Sequence, residues 1–354
     1  MRVVHINFAK GWRGGERQTL LLMQGLRAQG VESALAARKG EPLAQRAREA
    51  GFEVSELRRP WMLRGGIARN FDIMHAHEAR ALQVAAIWKL THPKPLVTTR
   101  RVDFSPSDSP FTRFKYAQAN RIVAISVGVR VVMEAWGAHA DALRVVHSAI
   151  SLEDNSQPGH VAELHKRFAG RKVIGCVAAL VGHKDHATLL RAAKRLLTPN
   201  PDVLFLLLGE GELRLQLEAT VQELGLTNVI FEGYQSDPYS YFKIFDAFVM
   251  TSREEGLGSS ILDAFAYQVP VVATKAGGIP EMVKDGETGL LCEIGDDEAV
   301  ARSLDRVLQD VTLRDRLTTG AHALLEREFT ADRMAERYVE IYKDIAGQKK
   351  GGPR

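Results

Sequence analysis

The sequence predicts an α/β protein of two Rossmann-like domains, each built on a parallel sheet, facing across a cleft. Three observations carry this prediction. Short apolar runs alternate with helix-period stretches along almost the whole chain, the pattern of βαβ units. The alternation is broken once, by the polar stretch "SLEDNSQPGHV", and then begins again. A length of 354 residues suits two cores better than one.

In chain order, the first set of strand-like runs is "RVVHINFA", "ESALAA", "FEVSEL", "DIMHAH", "PLVTT", "RIVAIS" and "LRVVHSA". Helix-period stretches separate them, such as "ERQTLLLMQGLRAQG" with Leu20, Leu21, Met23 and Leu26. The hinge is expected near residues 151–170. Beyond it come "RKVIGCVAAL", "DVLFLLLG", "NVIFEG", "AFVMTS", "VPVVAT" and "TGLLCE". Their unbroken apolar character fits parallel strands covered on both faces. The expected division is a domain over 1–160, a second over 161–330, and a helix over 331–346 that crosses back to the first domain on Met334, Tyr338, Ile341 and Ile345. The tail, 347–354, reads as disordered.

With 45% hydrophobic and 25% charged residues, the chain reads as soluble and globular. No apolar run approaches the ~20 residues that span a bilayer, and "VVHINFA" lacks the length and cleavage site of a signal peptide. The two cysteines, Cys176 and Cys292, have no disulfide or metal-ligand spacing and fit reduced core thiols of a cytoplasmic protein. Charge is divided unevenly. Residues 1–150 hold 23 Lys and Arg against 12 Asp and Glu; the remainder holds 24 against 31. A basic first half points to an anionic partner. Nucleic acid is not expected, because the basic residues are dispersed through apolar segments and form no recognisable binding module.

The densest chemical signal is "SREEGLGSSILDAFAYQVPVVATKAGGIPE", Ser252 to Glu281. It places Arg253, Glu254 and Glu255 at the carboxyl end of a strand, where ligands collect in open α/β sheets. Gly256 and Gly258 allow close backbone approach, and a helix from about Ser259 turns free amides toward an anion. Glu255 and Asp263 are placed to accept hydrogen bonds from sugar or ribose hydroxyls while the amides hold phosphate. On local sequence alone, an ordinary helix start favoured by acidic residues, with a solvated Asp263, accounts for the same residues. Lys184, in "VGHKDHATLL", is a cation at a helix start, a mildly unfavourable place that an anionic ligand would explain.

In the first half, Gly14 and Gly15 follow the first strand without the G-x-G-x-x-G spacing of a dinucleotide cradle, which argues against an oxidoreductase. His75 and His77 end a strand at the cleft side, as structural histidines or acceptor contacts; two histidines without a convergent third ligand do not predict a metal site. Arg100 and Arg101 follow the next strand. The segment "RRVDFSPSDSPFTRFKY" mixes Phe104, Phe111, Phe114 and Tyr116 with Arg113 and Lys115, either packing its own aromatics or resting on an anionic bilayer.

From Lys172 to about Tyr342 the chain resembles the retaining glycosyltransferases of family 4, the group 1 transferases with a GT-B fold. The resemblance lies in "LLLGEGELR", "NVIFEGY", "FVMTSREEGLGSSILDAFA", "PVVATKAGGIPEMVKDGETGLL" and "FTADRMAERYVEIY". The first half is similar more loosely, through "GGERQTLLLMQGLRAQGV", "DIMHAHEARA" and "RIVAISVGVR". The resemblance implies a metal-independent transfer from a nucleotide-diphosphate sugar, with no cofactor, in which the second domain binds the donor and the first the acceptor. It implies that Glu255 contacts donor-sugar hydroxyls and that Lys184 neutralises the diphosphate, the two catalytic assignments. Gly256, Leu257, Gly258 and Ser259 would surround the diphosphate, Asp263 would hold ribose hydroxyls, and Gly14 and Gly15 would let the first domain approach the donor phosphate or the acceptor; outside the resemblance, Arg253 is the local cation that could make up for a missing donor contact. The family reacts on one face of the sugar, the leaving phosphate assisting deprotonation of the acceptor.

Two departures stand out: Asp263 occupies a position where the family usually has Glu, and Ala179 one where it often has Arg. No catalytic histidine is transferred, since "VTTRRVDF" puts Arg100 or Arg101 where many relatives carry one. The implied acceptor is an anionic, lipid-linked or cell-envelope glycan such as lipopolysaccharide core, reached by an enzyme in the cytoplasm touching the inner face of an anionic membrane. A GT-B epimerase, a transferase for soluble acceptors, and a silent sugar-nucleotide-binding subunit remain open on the sequence.

Overall fold

The computed structural model describes residues 1–347. The tail expectation therefore lies outside the described residues, except at Gly347, which ends the last helix. The chain divides into two compact units, one of Met1–Ser151 with the segment from Glu328 onward, the other of Leu152–Arg327.

The first unit contains a seven-stranded sheet of β1 (Arg2–Asn7), β2 (Glu32–Arg38), β3 (Glu53–Leu57), β4 (Ile73–Ala76), β5 (Leu96–Arg100), β6 (Arg121–Ala124) and β7 (Leu143–Val145). Its order is β3-β2-β1-β4-β5-β6-β7, and every pairing is parallel. The chain walks outward from β1 to β3, then returns to lay β4 on the other side of β1. That reversal opens a crevice between the carboxyl ends of β1 and β4.

The second unit repeats the scheme with β8 (Lys172–Val177), β9 (Val203–Leu208), β10 (Val229–Gly233), β11 (Ala247–Met250), β12 (Val271–Thr274) and β13 (Leu290–Cys292). The order is β10-β9-β8-β11-β12-β13, again all parallel. Here the reversal falls between β8 and β11. Each strand-like run of the sequence supplies one of these strands.

Burial explains the sequence pattern. All six residues of β9, "VLFLLL", are buried because helices cover both faces of the sheet. Each such Leu or Phe contributes roughly 1.5–3 kcal/mol on leaving water. In the first unit, the terminal helix Ala331–Gly347 buries Met334, Tyr338, Ile341, Tyr342 and Ile345 against Val3, Leu22, Ile73 and Val97. Gly25 makes this seam close, since a Cβ there would lie 2.9 Å from both the Ala331 carbonyl oxygen and Ala335 Cβ. Cys176 and Cys292 are free, buried thiols. Among the described residues no helix is long and apolar enough to cross a membrane.

Candidate active site

In the second unit, three loops leave the carboxyl ends of adjacent strands β8, β11 and β12, at the reversal of strand order. The loop after β8 carries the turn Gly182–Lys184; the loop after β11 is Thr251–Gly258; the loop after β12 contains Gly277 and Gly278. They are tied together. Arg253 N–H donates to the His183 carbonyl at 2.8 Å, and Gly278 N–H to the Glu255 carbonyl at 3.0 Å. Thr274 Oγ1 donates to the Ser252 carbonyl at 2.6 Å. Gly277 sits at φ +49°, and a Cβ there would lie 1.8 Å from the Glu255 oxygen. The glycine pair of "KAGGIPE" is thus there to let one loop lie on the other.

This interlock brings Lys184 and Glu255 together. Lys184 Nζ forms an ion pair with Glu255 Oε2, both side chains largely withdrawn from solvent. Ser252 Oγ donates to the same oxygen at 3.3 Å. Lysine carries three donors and Glu255 engages one, which leaves ammonium protons for a further anion.

Gly258 caps the helix Ser259–Ala266 at φ +89°, ψ 57°, left-handed geometry that favours glycine. No side chain caps this helix; Ile261 N–H donates to the Gly258 carbonyl at 2.9 Å, which leaves the Ser259 and Ser260 amides without a cap. A helix start with open amides favours negative charge by electrostatics, as does the nearby Lys184 ammonium. Leu257 is 2% exposed, so its side chain belongs to the core and only its main chain faces the loop. Gly256 is buried as well. Asp263 lies within the helix, 7% exposed, and so is not the solvated residue that local sequence also allowed.

Arg253 is engaged differently from Lys184. Its Nε donates to Asp185 Oδ2 at 2.9 Å, and Asp185 is buried, caps the helix His186–Leu197 and adopts a left-handed φ of +46°. A non-glycine residue there costs energy that the Thr188 and Arg253 contacts offset. Arg253 therefore holds the Lys184 turn in shape, with an outer guanidinium edge still exposed. Ala179 is exposed in the loop after β8.

In the first unit, Gly14 and Gly15 open the helix Gly14–Ala28 after β1, and Glu16 Oε2 accepts from Arg13 N–H at 3.0 Å. Burial raises the Glu16 carboxyl above its ordinary range. A Cβ on Gly15 would meet Arg101 Cδ at 3.7 Å, so Arg101 lies over this helix start.

His75 and His77 do not stand alone. The β1–β4 register pairs His5 with His75, and ligand atoms of His5, His75 and His77 lie within 4.8 Å of one another. The third histidine that the sequence did not supply is thus His5. His5 Nδ1 meets His77 Nε2 at 2.9 Å, and His5 Nε2 meets Ser33 Oγ at 3.3 Å. Arg101 Nη2 approaches His77 Nδ1 at 3.4 Å. Arginine only donates, so His77 accepts at Nδ1, donates from Nε2 to His5 Nδ1, and leaves His5 Nε2–H for Ser33. His75 lies between Tyr342 OH and Thr99 Oγ1, both at 2.7 Å, and Thr99 meets Tyr338 OH at 2.7 Å.

Burial pushes His5 down to about 3. Burial, then the neighbouring rings and Arg101, holds His75 and His77 well below the ordinary range. Every ring nitrogen has a protein partner and a guanidinium stands beside the array, which favours hydrogen-bonded neutral imidazoles over a metal centre. The array joins strands to the terminal helix. Arg100 turns elsewhere: Nη2 donates to the Phe104 carbonyl and Nη1 to Tyr116 OH at 3.4 Å, pinning the following loop. Arg101, and not Arg100, faces the crevice residues.

Two family profiles cover most of the chain. The one described as glycosyl transferases group 1 matches residues 163–323, and that described as glycosyltransferase family 4 matches residues 12–154. The chain belongs to the group 1 glycosyltransferases. This family member is 26% identical to the lipopolysaccharide core biosynthesis glycosyltransferase LpsD of Rhizobium meliloti (strain 1021) over 97% of its own length and 98% of LpsD. It is 35% identical to LpsE of the same organism, named for the same process, over 49% of this chain and only 50% of LpsE. Among solved structures, Anabaena Alr3699/HepE in complex with UDP and glucose superposes with a TM-score of 0.87 at 20% identity, covering 96% of this chain and 99% of that one. The apo form of the lipopolysaccharide outer core galactosyltransferase WaaB does so with a TM-score of 0.73 at 18% identity, over 97% and 100%. These likenesses establish a GT-B fold of two Rossmann-like units.

Proposed function

We propose that the protein is a retaining, metal-independent glycosyltransferase that moves a sugar from a nucleotide-diphosphate sugar to a cell-envelope glycan or lipid-linked acceptor such as lipopolysaccharide core. The observation that carries this reading is the strand-order reversal between β8 and β11, flanked by Lys184, Glu255 and the uncapped helix start at Gly258. As the sugar–phosphate bond breaks, charge grows on the departing diphosphate. Lys184 and the Ser259–Ser260 amides stabilise it where it forms, an electrostatic contribution that needs no metal. Glu255 serves twice, fixing Lys184 and accepting from donor-sugar hydroxyls, while Asp263 accepts from the ribose. The attacking acceptor hydroxyl approaches from the face the phosphate leaves, and a phosphate oxygen takes its proton.

The names of LpsD, LpsE and WaaB support an envelope-glycan acceptor, and the UDP and glucose of the Anabaena structure support a nucleotide-sugar donor. We assign the donor to the second unit and an anionic acceptor to the basic first unit, with Arg101 and His77 at its crevice. Phe104 and Phe111, 61% and 44% exposed beside Arg113 and Lys115, support contact with an anionic membrane. A thermal-shift screen across UDP-, GDP-, ADP- and CMP-sugars, followed by transfer from the labelled donor to candidate acceptors, tests the reading. Stabilisation without transfer to any acceptor would replace it with a silent binding subunit, and no stabilisation by any donor would remove it.

A further inference from the structure

The first unit holds a second cationic feature, away from the β1–β4 crevice. Strands β2 and β3 pair in parallel with Arg38 opposite Leu57, and Lys39 N–H donates to the Leu57 carbonyl at 3.1 Å. That register sets two dibasic pairs side by side at adjacent carboxyl ends: Arg38–Lys39 leaving β2 and Arg58–Arg59 leaving β3. Together with Leu57 and Trp61 they line a cavity of about 350 Å³, within the ~300–1,000 Å³ typical of small-molecule sites.

Four positive charges in one concavity are costly unless something offsets them, and the local carboxylates are largely committed. Glu56 pairs with Arg48 at 2.5 Å and accepts from Gly40 N–H at 2.8 Å. Glu41 meets Arg38 Nε at 3.2 Å and accepts from Gly11 N–H at 2.9 Å. Among the described residues, Lys39, Arg58 and Arg59 have no carboxylate within ion-pair distance. Arg38 Nη1 is buried with no protein acceptor, a donor whose desolvation the fold alone does not repay. The floor is rigid. Trp61 stacks on Phe8 with ring centres 4.6 Å apart and planes 1° off parallel, and Arg59 and Arg38 lie over its ring at 5.1 and 6.0 Å. Beyond the rim, Met62 and Leu63 are exposed.

We infer that this cavity binds a phosphate group, held by Arg38, Lys39, Arg58 and Arg59 over Trp61. Guanidinium forks match phosphate oxygens, and carboxyl ends of parallel strands are where such groups dock. The site deepens the acceptor reading by giving the acceptor, or its lipid carrier, a phosphate to be read; binding at the cavity does not depend on the donor site. The phosphate comes either from a substituted glycan or from a lipid headgroup, whose chain Met62 and Leu63 would meet.

Calorimetry with glucose 6-phosphate, glucose as the uncharged control, and flotation with phosphatidylglycerol vesicles separate these sources. The proteins are wild type, the double variant Arg58→Gln/Arg59→Gln, the single variant Lys39→Gln, and Lys184→Ala, all checked for folding by circular dichroism. The expected result is saturable binding of at least one probe, weakened about tenfold or more by the double variant and less by Lys39→Gln, and retained in Lys184→Ala. A response confined to glucose 6-phosphate names the glycan as source; one confined to vesicles names the lipid. Equal binding by wild type and the double variant, or no binding of either probe by wild type, overturns the inference. If the double variant does not fold, Lys39→Gln decides alone. Unchanged sugar transfer in Lys184→Ala would instead refute the donor site and leave the phosphate site standing.

Discussion

Mild acid should destabilise the first unit, and the buried imidazoles set the size of the effect. His5, His75 and His77 are neutral in the folded protein because burial lowers each below the unfolded value of about 6.5. A depressed histidine contributes stability that is fully present above the unfolded value and is lost as pH falls below it, since the unfolded chain then takes up the proton first. Between pH 7 and 5.5 each histidine should cost on the order of 1 kcal/mol, and the array together a few kcal/mol. That is a large part of the 5–15 kcal/mol that ordinarily holds a domain. Glu16, whose carboxyl burial raises, acts with the opposite sign at lower pH, so the window stops at 5.5.

The sequence offers a local probe, because all four tryptophans, Trp12, Trp61, Trp88 and Trp136, lie in the first unit. Urea melts followed by tryptophan fluorescence should show this loss, and His5→Gln should reduce the pH slope by roughly a third. The slope is the diagnostic quantity, since the substitution also removes a hydrogen bond and shifts absolute stability at every pH. A tryptophan-reported stability unchanged from pH 7 to 5.5 in wild type would refute the claim that the array is buried and uncharged.

The remaining predictions concern the second unit. Lys184→Ala and Glu255→Gln should each lower turnover by about tenfold or more with the fold intact, measured by steady-state transfer and circular dichroism; normal rates in both would dismiss the site. Gly277→Ala should destabilise the second unit by about 1–3 kcal/mol, because it adds left-handed strain to a clash with the Glu255 carbonyl, and should weaken donor binding in the same thermal-shift series. Transfer activity should survive exhaustive EDTA dialysis undiminished; loss restored by a divalent cation would contradict the metal-independent mechanism.

Much of the fold was legible because a parallel strand buried on both faces leaves an unbroken apolar run, and a helix leaves a 3.6-residue stripe. The central strands, such as β9, could be read this way, as could the apolar face of the terminal helix, whereas the outer strand β3, "EVSEL", is only partly buried and reads from its place in the alternation. The Gly258 helix start and the Lys184 loop were legible for another reason. Their chemistry is compressed into short segments with unusual residues, glycines and a misplaced cation. His5 was not legible, because one histidine inside "VVHIN" carries no signal until strand pairing sets it beside His75.

The same limit hid the pairing of Arg38–Lys39 with Arg58–Arg59, two dibasic pairs far apart in the chain and adjacent only through the β2–β3 register. It also hid the division of labour between Arg100 and Arg101, which alternate faces at a strand end. Sequence by itself therefore determined which segments are strands, where the core lies along each, and which loop carries the glycine and acid chemistry, since these follow from local period and residue type. Tertiary structure alone decided which loops meet, that Lys184 is paired with Glu255, that Arg253 is committed to Asp185, and that three imidazoles share one dry interior. Register and strand order place residues by through-space pairing, and neither leaves a trace in the spacing of residues along the chain.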